Sequence, residues 1–194
     1  MDSLSDWLRM IYGLLMGTST PLIQPEERGL VKLEKIKIDN NMWVFKGGSG
    51  NGCVLRSGSE LLLVNTNRGS AAEEIYHFLR SEFPGCQVSK IINTQCGANF
   101  SGGNDFFPDC KDITVGEYSR SFLVNEMGDR KLPTDVVTVR KQISFGDEFL
   151  HLIPLGGGPL LVFLVSRNIL LGADPRFADK IKIFISEMNP VGIY

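Results

Sequence analysis

Apolar positions recur along this chain with two different spacings. Leu4, Trp7, Leu8, Ile11, Leu14 and Leu15 fall three and four residues apart, which predicts an amphipathic helix over 4–16 with Ser3 or Ser5 as its N-cap. Thr18-Ser19-Thr20-Pro21 and Pro25 cannot continue that helix, so 18–32 reads as a linker. From Leu33 onward the runs shorten to strand length. Strands are predicted over 33–38, 42–45, 53–55, 61–64, 88–92, 113–115, 136–139, 143–145, 150–154, 160–165 and 169–171. Ser57-Gly58 and Ser166-Arg167-Asn168 supply hairpin turns. The helical period returns over 70–83, with Ala71, Ile75, Phe78 and Leu79 as the stripe, and over 178–188, with Ile181, Phe184, Ile185 and Met188. Lys180-Ile181-Lys182-Ile183 also fits an edge strand, and 191–194 fits a last short strand. Short strands alternating with helices predict an α/β sandwich: a helix over 1–17, a linker over 18–32 and one domain over 33–194.

Composition narrows the function classes. The 194 residues are 43% hydrophobic and 22% charged, enough for one domain with a sizeable core. A net charge of −2 offers no basic footprint for nucleic acid. The apolar runs are too short for a transmembrane segment, and the acidic start is unlike a secretory signal, so the expected compartment is cytoplasmic. Cys53, Cys86, Cys96 and Cys110 form no CxxC pair and read as reduced thiols. His77 and His151 are the two histidines of the chain, which argues against a multi-histidine metal site. His77 lies off its helical stripe, as a surface residue would, and His151 reads as a strand side chain. The glycine-rich stretch Gly47-Gly48-Ser49-Gly50-Asn51-Gly52 lacks the Lys-Ser/Thr of a phosphate-binding loop and precedes a strand, so it reads as a flexible turn.

The stretch Thr94-Gln95-Cys96-Gly97-Ala98-Asn99-Phe100-Ser101-Gly102-Gly103-Asn104 follows an apolar strand, a usual place for a site at the carboxyl end of a sheet. In frame it resembles the metal-binding segment of the metallo-β-lactamase superfamily, Thr-His-x-His-x-Asp-His-x-Gly-Gly. Leu62-Leu63-Val64-Asn65-Thr66-Asn67 is similar to that family's Leu-Val-Asp-Thr-Gly step, and Gly172-Ala173-Asp174 to its Ala-Gly-Asp step. The resemblance covers roughly 34–194 and implies a compact αββα sandwich to which the N-terminal helix is an addition. It also implies that the ligand positions have been replaced: Gln95 and Gly97 for two histidines, Asn99 for aspartate, Phe100 for a third histidine, and Leu155 at the histidine of the later glycine turn. Asp174 alone keeps its expected residue. Glycine, phenylalanine, leucine and amides are poor ligands for zinc or iron, so no metal or other cofactor is expected. Asn65 and Asn99 stand where the family has Asp, and two neutral amides able to satisfy each other would suit a pocket without a cation. Phe100 would fill the vacated space.

The expected function is therefore a non-catalytic interaction or regulatory subunit. Its N-terminal stripe (Trp7, Leu8, Ile11, Leu15) packs on its own domain, binds a protein partner or second copy, or makes peripheral membrane contact; these readings stay open. One alternative is a small-ligand sensor using Gln95, Asn99, Asp174 and Arg176. The other is a residual hydrolase with ligands rearranged among Cys96, His151 and Asp174.

Overall fold

The computed structural model describes residues 33–95, 97–117 and 133–172. The helices predicted over 4–16 and 178–188, the linker and the closing strand lie outside these residues.

Seven strands form one sheet in chain order: β1 (Glu34–Asp39), β2 (Met42–Lys46), β3 (Gly52–Ser57), β4 (Glu60–Val64), β5 (Gln87–Asn93), β6 (Asp112–Gly116) and β7 (Asp135–Val137). β1 to β4 are joined by tight turns or a short loop and pair antiparallel. β4 to β7 pair parallel, which demands long crossovers; helix α1 (Gly69–Glu82) is the first. β8 (Lys141–Phe145), β9 (Glu148–Pro154), β10 (Leu160–Leu164) and β11 (Ile169–Leu171) form a second, antiparallel sheet in the order β11-β10-β9-β8.

β4 shows how the layers stack. Leu61, Leu62, Leu63 and Val64 are all buried. Leu61 and Leu63 join Val54, Ile75 and Leu79 in the core beneath α1. Leu62 and Val64 join Cys53, Ile92, Leu152 and Val162 in the core between the sheets. A strand covered on both faces reads as a continuous apolar run, because neither of its sides meets water. Helix α1 buries Ala71, Ala72, Ile75 and Leu79, while Phe78 sits edge-on to Trp43 and Phe45 at 5.1 and 5.5 Å between ring centroids. His77 is on the outer face, with a side chain 69% exposed. Burial pushes the Cys53 thiol up to about 12.

A charged staple joins the sheets at the end remote from the carboxyl termini of the parallel strands. Arg167, in the β10–β11 turn, donates through Nε to Asp39 Oδ2 at 2.9 Å and through Nη1 to the Glu148 carboxylate. Glu148 is buried and its other oxygen accepts the Ser166 amide at 2.8 Å, so this desolvated carboxylate is paired on both oxygens. No helix among the described residues is long and apolar enough to cross a membrane.

Candidate functional site

The loops that follow β4 and β5 meet at the carboxyl end of the large sheet. β4 runs into Asn65-Thr66-Asn67, where Asn65 and Asn67 hold φ of 59° and 62°. Asparagine tolerates this left-handed conformation better than other side chains do. It turns the chain sharply enough for both amides to point inward, and both residues are buried. β5 ends at Asn93, and after Thr94 the chain makes one helical turn (Ala98–Ser101) and a 3-10 turn (Asn104–Phe106). Gly103 is required here. A Cβ on it would lie 2.5 Å from Thr66 O and 2.6 Å from Ala72 Cβ, and its amide donates to Asn67 O at 2.8 Å.

The floor of the site is a network of carboxamides and hydroxyls. Asn65 Oδ1 accepts from the Thr94 amide (2.9 Å) and hydroxyl (3.0 Å), and its Nδ2 donates to Asn51 O at 2.8 Å. Asn104 Nδ2 donates to Asn93 Oδ1 at 3.0 Å, while Asn104 Oδ1 accepts from Thr66 Oγ1 at 2.9 Å and Asn93 Nδ2 at 3.4 Å. The Phe100 carbonyl accepts from the Thr66 amide, the Thr66 hydroxyl and Asn93 Nδ2 at 2.8, 3.3 and 3.1 Å. Asn65, Thr66, Asn67, Asn93, Thr94 and Asn104 are all buried, and each uses its polar atoms on the others or on the main chain, as burial requires.

Above this floor lies the glycine-rich loop between β2 and β3. It is a turn, as its composition suggests, but one tied to the site. Asn67 Oδ1 accepts from the Ser49 amide (2.8 Å), the Ser49 hydroxyl (2.7 Å) and the Gly50 amide (3.2 Å), and Asn67 Nδ2 returns a bond to Gly50 O at 2.6 Å. Ser49 Oγ also reaches Asn99 O at 3.0 Å. The Phe100 ring lies against Gly50, where a Cβ would stand 3.0 Å from Cε1. The later glycine turn closes the far side. Thr94 O accepts the Leu160 amide at 2.7 Å, and Gly172 packs on the Thr94 side chain with φ of 84°.

The positions taken from the motif are distributed as follows. Gln95 and Gly97 are partly exposed on the loop after β5, Asn99 is exposed and Phe100 is half-buried. Leu155 is buried, and its amide donates to Pro159 O at 3.0 Å. Asn65 lies in the floor. Cys96, Asp174, Arg176 and the helix residues Trp7, Leu8, Ile11 and Leu15 lie outside the described residues. His151 sits in β9, opposite Phe163 of β10; burial first, then the Arg140 charge, lowers its pKa. The expected mutual satisfaction of Asn65 and Asn99 is not what the structure holds. Asn65 is satisfied by Thr94 and Asn51, while the amides that pair are Asn93 and Asn104, because those two face each other from the end of β5 and the 3-10 turn. Asn67, Asn93 and Asn104 were missed. Each follows a recognisable anchor in the sequence, yet nothing in the spacing marks its side chain as inward.

The donor set at the motif positions does not suit a divalent metal: Gly97, Phe100 and Leu155 offer no side-chain donor, Gln95 and Asn99 are amides, and Asp174 is a single carboxylate. Among the described residues no three His, Cys, Asp or Glu side chains gather where they could hold one.

No known family description matches the sequence, and no curated protein matches it. Solved structures do match by shape. The metallo-beta-lactamase from Pontibacter korlensis superposes with a TM-score of 0.62 at 17% identity, over 73% of this chain and 71% of that one. DIM-1 metallo-beta-lactamase gives 0.59 at 17% identity, over 73% and 69%, and metallo-beta-lactamase IND-7 gives 0.58 at 17% identity, over 76% and 71%. The two stacked sheets, with helix α1 on the outer face of the larger one, have the fold of the metallo-β-lactamases.

Proposed function

We propose that this protein is a non-catalytic interaction or regulatory subunit built on the metallo-β-lactamase fold. The observation that carries the reading is the chemistry at the carboxyl ends of β4 and β5: neutral amides and hydroxyls bonded to one another, with ligand positions filled by Gln95, Gly97, Asn99, Phe100 and Leu155. Fold alone assigns no activity; the superfamily's hydrolytic chemistry depends on a metal-activated water, and this side-chain set gives such a metal little to bind. In this reading the working surface is the N-terminal stripe of Trp7, Leu8, Ile11 and Leu15, which meets a protein partner or a second copy of the chain.

Metal content per chain, measured by mass spectrometry on protein expressed with added zinc and iron and then dialysed, is the test. Less than a tenth of an equivalent (roughly, for a site whose motif positions keep one carboxylate and no imidazole) supports the reading. About one equivalent retained would sink it and return the search for ligands to Cys96, His151 and Asp174. Removal of 1–17 adds a second arm. Loss of assembly with retained folding supports the interaction role, and an unchanged oligomeric state and partner binding count against it.

A further inference from the structure

We propose that the loop over 47–52 is a strap latched shut across the carboxyl ends of β4 and β5, with the Asn67 side chain as the latch and the Phe100 ring seated on Gly50 as its keeper. The inference goes beyond the interaction role and stands without it.

A loop containing Gly47, Gly48, Gly50 and Gly52 has wide conformational freedom when nothing holds it. Here one buried side chain commits both its amide oxygen and its amide nitrogen to that loop. Asn67 Oδ1 gathers the Ser49 amide, the Ser49 hydroxyl and the Gly50 amide, and Asn67 Nδ2 takes Gly50 O at 2.6 Å. Asn67 is fully buried and held at φ 62°, an orientation that aims the amide at the strap. The fit is close on every side. A Cβ on Gly48 would lie 2.7 Å from Asn67 Oδ1 and 3.0 Å from Ala71 Cβ, and one on Gly52 would lie 2.7 Å from Val64 O. Asn51 O bonds Asn65, and Ser49 Oγ bonds Asn99 O. The strap thus rests on the loops after both strands and on α1. Beneath it Asn65 and Thr94 are buried. With the latch closed, the strap covers this amide and hydroxyl floor; with it open, the groups released are the Asn67 carboxamide and Asn65 Nδ2, neutral partners suited to an uncharged polar ligand.

Amide-resolved hydrogen exchange on the full chain tests the latch. In the natural protein the Ser49 and Gly50 amides are expected to be protected. Asn67→Gly removes the latch while keeping the left-handed backbone without strain, and should speed exchange at these two amides by about tenfold or more while the amides of α1 keep their protection. Ser49→Ala, which removes only the hydroxyl contacts, should produce a smaller rise at the same amides. The proposal is overturned if both amides exchange as freely as an untethered loop in the natural protein. It also fails if Asn67→Gly leaves them unchanged in a folded chain. Should Asn67→Gly lose the α1 protection as well, Ser49→Ala decides: a local rise supports the latch, and no change removes it.

Discussion

Asn93 and Asn104 pair amide to amide, at 3.0 and 3.4 Å, in the buried polar network of the described residues, and the geometry gives their coupling. Replacing Asn104 by alanine removes three bonds. Two of the partners keep an alternative: Thr66 Oγ1 still reaches Phe100 O at 3.3 Å, and Asn93 Nδ2 reaches the same carbonyl at 3.1 Å. Asn93 Oδ1 loses its Asn104 donor inside a residue of 0% exposure. An orphaned buried acceptor costs about 1–3 kcal/mol, so Asn104→Ala should destabilise by about 2 kcal/mol. Asn93→Ala takes the acceptor from Asn104 Nδ2 in return, while Asn104 Oδ1 keeps Thr66 Oγ1, at about the same cost. The double variant leaves neither amide to orphan and should fall short of the summed losses by about 1–2 kcal/mol. Urea unfolding of the natural chain, both single variants and the double variant gives the coupling directly, with the urea dependence checked for constancy across the four. Strict additivity, within about 0.3 kcal/mol, would refute the pairing.

Two further outcomes follow from other parts of the fold. Gly116, at the end of β6, faces the main-chain carbonyl of Gly158, and a Cβ there would collide with it; Gly116→Ala should cost about 1–3 kcal/mol by overpacking and lower the thermal midpoint by about 2–4 °C for each kcal/mol. For Asp39, burial works to raise the carboxyl pKa, but the Asn41 amide and then Arg167 outweigh it and hold the group below its ordinary 3.8. A lowered folded pKa gives stability that is present above 3.8 and lost as pH falls through the folded value, so Asp39→Asn should show a shallower loss of stability below about pH 4 than the natural chain. Equal acid limbs in the two proteins would show that Arg167 contributes nothing through Asp39.

The strands were legible because burial on both faces leaves a mark that survives in one dimension. Leu61-Leu62-Leu63-Val64 announces a strand whichever layer each residue serves, and the α1 stripe of Ala71, Ile75 and Leu79 repeats at the helical period. The candidate site was legible as a place, since the motif frame pointed to the loop after β5, and Asn65 lies in the buried network there. Its wiring was not. Asn99 looked equivalent to Asn65 by motif position but is exposed, while Asn104 acts from a 3-10 turn that no periodicity announces. The glycine run over 47–52 shows the same limit. Its composition speaks of freedom, and the restraint comes from Asn67, which approaches only after β3 and β4 have folded back on β2.

The Arg167 staple bears on the order in which this molecule assembles. Its two ends, Asp39 and Arg167, are separated by 128 residues, so the contact forms only once both sheets exist, and closing a loop of that length gives little return early in folding. Such a late contact contributes little to the transition state. Loosening it should therefore quicken unfolding while leaving the refolding rate nearly unchanged, so the end of the sandwich remote from the site is a place where the lifetime of the native state can be altered apart from its rate of formation.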